Sequence, residues 1–436
     1  MTIVRPSPAG ALQDAAGLSR RKVLQGAGAV GLSSMLGAPA FAAAKLSIGA
    51  TATGLLVPQT RGPYQDNGAT PWYASIGIGS PQQPLKIALD TGSNFIWSTS
   101  SLCNPAANSC VHYGGGEFVY QNSTSFKWLD QTPTPVSFGP WGTMMVERGS
   151  DYFTFPGASQ LPAPTQFYLA ESYTGDQFAE LDWDGGIGFP SGSAYVQPGI
   201  SFMMQDLINK NVVSWQYPYV SFNWNAATKS GTCQIGGVDT SAYDPNAGIV
   251  MPWAPYTAFS GVEYIWTTPL LNYVYGNQVI PISPNAMFAL DSGSSQFKGD
   301  DDIMNETLAL IAISQQTLQL QLGQSTVTGA PGIISVPPSV YEVMIEAGDN
   351  KGKVLPQFNP LGLTDLVLVG SVLMDQLYTV FEYTAIPSPI GGYTLAPANM
   401  YLYNKVNGPQ LIQPSAGTAL SVGGAKAASL AMPGRL

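Results

Sequence analysis

Two aspartates, Asp90 and Asp291, stand 201 residues apart in near-identical settings: Ala88-Leu89-Asp90-Thr91-Gly92-Ser93 and Ala289-Leu290-Asp291-Ser292-Gly293-Ser294. In each copy an apolar run, read as a strand, delivers one carboxylate into a turn of small hydroxyl and glycine residues. Either copy alone is ordinary turn chemistry, since Asp-x-Gly-Ser is a common way to leave a strand. Two copies about half a chain apart point instead to two similar lobes meeting at a shared site. Two carboxyls in one partly dry site cannot both ionise easily, so they share a proton. One can then take a proton from water while the other donates to a substrate carbonyl. For a peptide bond this means direct attack of water on the carbonyl carbon, with no covalent intermediate. Gly92 and Gly293 let backbone N–H groups come close to the carboxylates.

The segments around the motifs must position them. Trp72 to Pro81 alternates as a strand ending in a turn, and Leu85 to Leu89 is the strand leading into Asp90. Asp184 to Phe189 and Leu366 to Gly370 are apolar-glycine runs, one after each aspartate. Val136 to Phe155 reads as a β-hairpin, Phe202 to Val213 and Asp302 to Ile313 as helices, and Ala286 to Leu290 as the strand entering Asp291.

Composition narrows the alternatives. A chain of 436 residues splits into more than one unit, and Gly 48 and Pro 35 with only 10% charged residues indicate short strands joined by tight turns. The class is mostly β. With 17 basic against 27 acidic residues, net charge −10, the chain lacks the basic stripes of a nucleic-acid surface. His112 is the single histidine, which removes most Ser-His-Asp and His-zinc chemistry, and its Gly-rich loop reads as a solvated turn. No cofactor or metal is expected.

The two aspartate motifs, the two apolar-glycine runs and their order over roughly residues 70–400 resemble the pepsin-like aspartic peptidases, here in a bacterial, exported form. The resemblance implies two β lobes related by a pseudo-twofold axis, with a cleft between them, and acid endopeptidase activity with Asp90 and Asp291 catalytic. It also implies that the hydroxyls of Ser93 and Ser294 bond the outer carboxylate oxygens and that Thr91 and Ser292 tie the loops together. Trp97 stands where the family has its tryptophan. The hairpin matches the flap that closes over substrate, with Phe138 in place of the family's tyrosine, followed by Gly139 and Pro140. Trp141 is the competing candidate for the covering aromatic. Trp183 and Phe138 align with the walls of the main apolar pocket, so bulky apolar residues are expected beside the cut.

Cys103 and Cys110 bracket a Pro/Asn/Ser loop and read as a local disulfide, as the family often has here. A metal site using both with His112 is the alternative, though it lacks a nearby fourth ligand. Cys233 reads as a core thiol. Residues 1–42, with Arg20-Arg21, a mildly apolar run and Ala40-Phe41-Ala42, look like a twin-arginine-type signal, placing the enzyme in the periplasm or outside the cell. Residues 43–69 form a short segment with no recognisable prosegment. The lobes are expected at 70–250 and 251–403, and a disordered tail at 404–436. No later stretch is long and apolar enough to span a membrane. The expected partner is a peptide or protein substrate of a monomeric enzyme. Two readings compete: a non-catalytic binding or inhibitor protein on the pepsin fold, and a two-carboxylate glycosidase. The latter is disfavoured because it needs unequal surroundings for its two carboxyls.

Overall fold

Alternation decides many of the strands. In Leu318–Leu322 the three leucines face inward while Gln319 and Gln321 are half-buried, the period-two pattern of a sheet with one covered face. Four strands beside the aspartates are instead buried throughout: Ile96–Thr99, Gly185–Gly188, Met287–Leu290 and Leu366–Val369. Three of them read as continuous apolar or glycine-rich runs because both faces are covered, and Ile96–Thr99 ends in two buried hydroxyl residues. The structure, a computed structural model, describes residues 54–138 and 142–413.

The same three-strand unit occurs in both halves. Gln83–Asp90 runs parallel to Gly185–Gly188, which pairs antiparallel with Ile96–Thr99. In the second half Met287–Leu290 runs parallel to Leu366–Val369, which pairs antiparallel with Phe297–Gly299. Each unit carries its aspartate at or just past the end of its first strand. Helix Asp301–Ile313 follows the second unit, its N-terminus capped by the Asp300 side chain, which accepts from the N–H groups of Asp302 and Ile303. The architecture is the mostly β, bilobal pepsin-like fold.

A shared sheet joins the halves. Leu55–Arg61 pairs with Ser230–Ile235, which pairs with Tyr219–Asn225. That strand bonds Leu377–Pro387 from the far end of the chain, whose partner Tyr393–Lys405 pairs in turn with Tyr243–Pro252. Leu55–Arg61, which falls in the short N-terminal segment, is thus part of the common sheet. Packed structure also continues past residue 404: the N–H groups of Leu411 and Ile412 donate to Asn404 Oδ1 at 3.1 and 2.9 Å, and both side chains are buried. The signal at 1–42 and the tail beyond 413 lie outside the described residues.

The hairpin differs from its expected bounds. Its strands are Lys127–Ser137 and Thr143–Asp151, with Ser137 opposite Thr143, so it starts nine residues before Val136. Phe153–Thr154 belongs to a separate short strand paired with Trp72–Ile78. The first strand misled because its residues are largely exposed, with Pro133 and Pro135 within it, so it has neither the buried alternation nor the composition of a core strand.

Within the first half, Trp72 stacks on Trp224 with ring centroids 5.2 Å apart, and it also reaches across to the second. The Trp72 indole N–H donates to Asp375 Oδ1 at 2.7 Å. Burial pushes the Asp375 carboxyl up to about 6, against the opposing pull of Lys405, Arg61 and the Trp72 bond. A carboxyl whose pKa is raised on folding binds its proton more tightly in the native state, so its stabilising effect is present in acid and lost as pH rises from about 4 through 6. The loss is about 3 kcal/mol at most. Asp375→Asn keeps an acceptor for Trp72 but cannot ionise. Its Tm should therefore fall less than the wild-type Tm between pH 4.5 and pH 7.5, as read by circular dichroism, and an equal fall contradicts the assignment.

Candidate active site

Two loops meet through reciprocal bonds between hydroxyl and backbone. The Thr91 N–H donates to Ser292 Oγ and the Ser292 N–H to Thr91 Oγ1, both at 2.9 Å. Each hydroxyl then passes its own proton to a carbonyl across the interface: Ser292 Oγ to Leu89 at 2.6 Å and Thr91 Oγ1 to Leu290 at 3.3 Å. Both side chains are fully buried, so the four polar groups have no water to turn to. Side chains this short at the residue after each aspartate let the two backbones approach.

That approach sets the carboxylates against each other. The Gly92 N–H donates to Asp90 Oδ1 at 2.8 Å and the Gly293 N–H to Asp291 Oδ1 at 2.9 Å. A Cβ on Gly92 would lie 2.2 Å from Asp291 Oδ1, and one on Gly293 would lie 2.2 Å from Asp90 Oδ1. Each glycine therefore serves the opposite carboxylate by having no side chain. Burial first, then the charge of Asp291 within hydrogen-bonding reach, drives the Asp90 pKa well above the usual carboxylate range.

The supporting hydroxyls of Ser93 and Ser294 each lie beside their own aspartate, with different geometry. Ser294 Oγ donates to Asp291 Oδ2 at 2.6 Å. Ser93 Oγ is buried beside Asp90 and acts on that carboxyl as a side-chain hydrogen bond would, lowering its pKa, although the contact falls short of ordinary hydrogen-bond geometry. A further group was missed in the sequence. Lys298, 5% exposed, donates from Nζ to the Gly68 carbonyl at 2.5 Å and to Ser294 Oγ at 3.1 Å. Burial lowers its pKa to about 8, while the charges of Asp291 and, next, Asp90 pull it upward. The signal was a lone lysine in an otherwise uncharged strand close after the second motif.

Aromatic rings line the first half. Phe138, at the tip of the hairpin, packs edge-on to Phe95, Trp97 and Phe178 at 5.4, 5.8 and 5.6 Å. Trp97 also meets Trp183 at 5.8 Å. Trp183 is 5% exposed and its indole N–H donates to the Thr70 carbonyl at 3.1 Å, so it packs as a support for Trp97. Among the described residues the Trp97 indole N–H meets no acceptor. Gly139 and Trp141 lie outside the described residues.

Cys103 and Cys110 are joined as a disulfide, which takes both sulfurs away from the alternative metal site. His112 is not a solvated turn residue. Its side chain is 3% exposed, with Nε2 3.0 Å from Asp184 Oδ1 and Nδ1 3.1 Å from the Cys110 carbonyl. Burial acts to raise the Asp184 pKa, but the bonds from His112 and from the N–H groups of Lys86 and Gly116 outweigh it and hold the carboxyl below its ordinary value. The pair fastens the disulfide loop to the residue preceding Gly185–Gly188, a contact across 72 positions that no local pattern announces.

Removing one hydroxyl of the loop pair leaves buried groups unpaired. Ser292→Ala strands the Thr91 N–H and the Leu89 carbonyl, and should cost about 1–3 kcal/mol per unpaired group. Urea denaturation measures this, and a loss below about 0.5 kcal/mol shows that the reciprocal bonds do not hold the loops.

A sequence model of the family described as "Eukaryotic aspartyl protease" matches residues 71–387. Pepsin A of Canis lupus familiaris is 25% identical over 324 residues, covering 71% of this chain and 78% of that protein. Pepsin A of Bos taurus is 24% identical over 336 residues, 73% and 83% of the respective chains. Chymosin of Callithrix jacchus is 25% identical over 325 residues, 71% and 78%. The span of the family match encloses both aspartate loops, the hairpin and the strands that pair beside each aspartate, and the chain belongs to the aspartyl protease family as an aspartic-type endopeptidase.

Proposed function

We propose that the protein is an acid endopeptidase in which a water held between Asp90 and Asp291 attacks the scissile carbonyl. The observation that carries this is the interleaving of the two loops, each glycine lying against the other loop's carboxylate. In the working state one carboxyl is ionised and the other protonated. Asp90 sits in surroundings that favour the proton, and Asp291, which accepts from Ser294 and Gly293, is assigned the ionised part. Asp291 then takes the proton of the attacking water and Asp90 protonates the substrate carbonyl oxygen, giving a tetrahedral diol. The diol collapses as the C–N bond breaks: Asp291, now protonated, gives its proton to the departing amine nitrogen and Asp90 takes a proton back from a diol hydroxyl, which restores one ionised and one protonated carboxyl. Phe95, Trp97 and Phe178 are buried and pack edge-on against Phe138, the one partly exposed ring of the cluster, which supports a preference for bulky apolar residues at the cut. A non-catalytic binding role is not favoured, since both carboxyls and their hydrogen bonds are in place. Export of a bacterial enzyme by the twin-arginine-type segment at 1–42, to the periplasm or the medium, completes the proposal.

Asp90→Asn and Asp291→Asn change volume little and should each lower kcat/KM by roughly 10²–10⁴-fold or more while keeping the wild-type circular dichroism spectrum. Wild-type cleavage of a mixed peptide library should be confined to acid and fade toward neutrality as the second carboxyl ionises. A folded Asn variant with most of its activity would refute the dyad.

The Trp97 indole N–H is a donor in search of an acceptor, and Phe138 beside it lacks a hydroxyl. Phe138→Tyr should tighten closure of the hairpin tip by one neutral hydrogen bond, about 0.5–1.5 kcal/mol, and raise kcat/KM by up to roughly tenfold. Unchanged kcat/KM in this variant, together with loss of activity in Trp141→Ala, means that another aromatic covers the site.

A further inference from the structure

The two halves differ sharply at one matched position. Seven residues after Asp90 stands Trp97, and seven residues after Asp291 stands Lys298. Lys298 lies in the strand Phe297–Gly299, with Nζ bonded to the Gly68 carbonyl and to Ser294 Oγ. A hydroxyl has one proton to give. Ser294 gives it to Asp291 Oδ2 at 2.6 Å, so Ser294 is the acceptor toward Lys298. Donation therefore runs one way, from amine to hydroxyl to carboxylate. The Asp90 side has no such cation, because an indole, Trp97, occupies the position of the lysine.

We propose that Lys298 is a positioning residue of the peptidase reaction, whose charge, relayed through Ser294, holds Asp291 as the ionised member and leaves the shared proton on Asp90. The inference rests on reading Asp90 and Asp291 as the catalytic pair. Nearby groups leave that pair as the charge Lys298 answers. Across its two strand neighbours stand Asn359 and Leu368, both uncharged. On the loop packed over it, Asp66 is exposed and accepts from Gln296 and Asn350. At the start of the following helix, Asp300 accepts from the N–H groups of Asp302, Ile303 and Asp365, and Asp301 from that of Gly362. The lysine stays cationic across the acid range, its burial notwithstanding. A cation beside Asp291 opposes protonation of the singly ionised pair, so the acid limb of activity lies lower than the pair alone would set it. The same side chain ties the loop around Gly68 to the second catalytic loop, alongside the Ser295 N–H to Gly68 carbonyl bond at 3.0 Å and the Thr70 N–H to Gly293 carbonyl bond at 2.8 Å.

The test compares kcat/KM from pH 2 to pH 7 for the full chain and for Lys298→Met and Lys298→Gln, with a fluorogenic peptide carrying bulky apolar residues at the cut. Both variants should move the acid limb upward by about one pH unit. Gln, which keeps a donor for Gly68 or Ser294, should retain more of the wild-type Tm and decides the matter if the Met variant does not fold. In a Ser294→Ala background the same substitutions should shift the limb much less. A uniform fall in kcat/KM with both limbs in place, a wild-type limb in Lys298→Gln, or failure of both variants to fold overturns the positioning role in favour of a structural one. These outcomes require an active wild type. A wild-type protein that cleaves no peptide at any pH overturns the peptidase reading itself, a separate result.

Discussion

Like charges confined together resist the second ionisation, and the structure around Asp90 and Asp291 depends on that constraint. A pair of carboxyls in water would separate or hydrate. Here each is fixed by its own glycine N–H and pressed against the glycine of the opposite loop. The repulsion is then relieved by retaining one proton, which is the state that acid–base chemistry requires.

Fixing two loops from distant parts of a chain needs more than local turn chemistry. The reciprocal Thr91 and Ser292 bonds are fully buried, so breaking them exposes groups that cannot rehydrate without opening the interface. Behind them lies a sheet in which strands from the two parts of the chain meet side by side, Tyr219–Asn225 pairing with Leu377–Pro387. The loops are held because the lobes share backbone hydrogen bonds. The same interface buries Asp375 under Trp72, a carboxyl that is least costly when protonated. Catalytic and structural carboxyls thus both favour acid.

The near-symmetry of the motifs conceals a functional inequality. Both aspartates take a glycine N–H and have a serine hydroxyl beside them, but only the hydroxyl behind Asp291 is backed by a lysine. Two carboxyls that must play different parts need different surroundings. The difference comes from the second neighbours, Trp97 and Lys298, more than from the repeated motif.

Much was legible in the residues themselves. The repeated motif marked the aspartates, continuous apolar runs marked the buried strands, and short spacing marked the Cys103–Cys110 pair, because these features depend on neighbours in sequence. Helix Asp301–Ile313 was readable to within one residue of its start. Only the tertiary structure decided the rest. The largely exposed first strand of the hairpin had no burial pattern to declare it. Leu55–Arg61 became a strand because Ser230–Ile235 supplies its partner. His112 left solvent because Asp184 is brought to it from 72 positions away, and Lys298 became part of the site because Gly68, 230 positions distant, offers its carbonyl. Sequence determines which groups can bond, but burial and distance, which set the strength of those bonds and the proton each group keeps, arise only when remote segments close over one another.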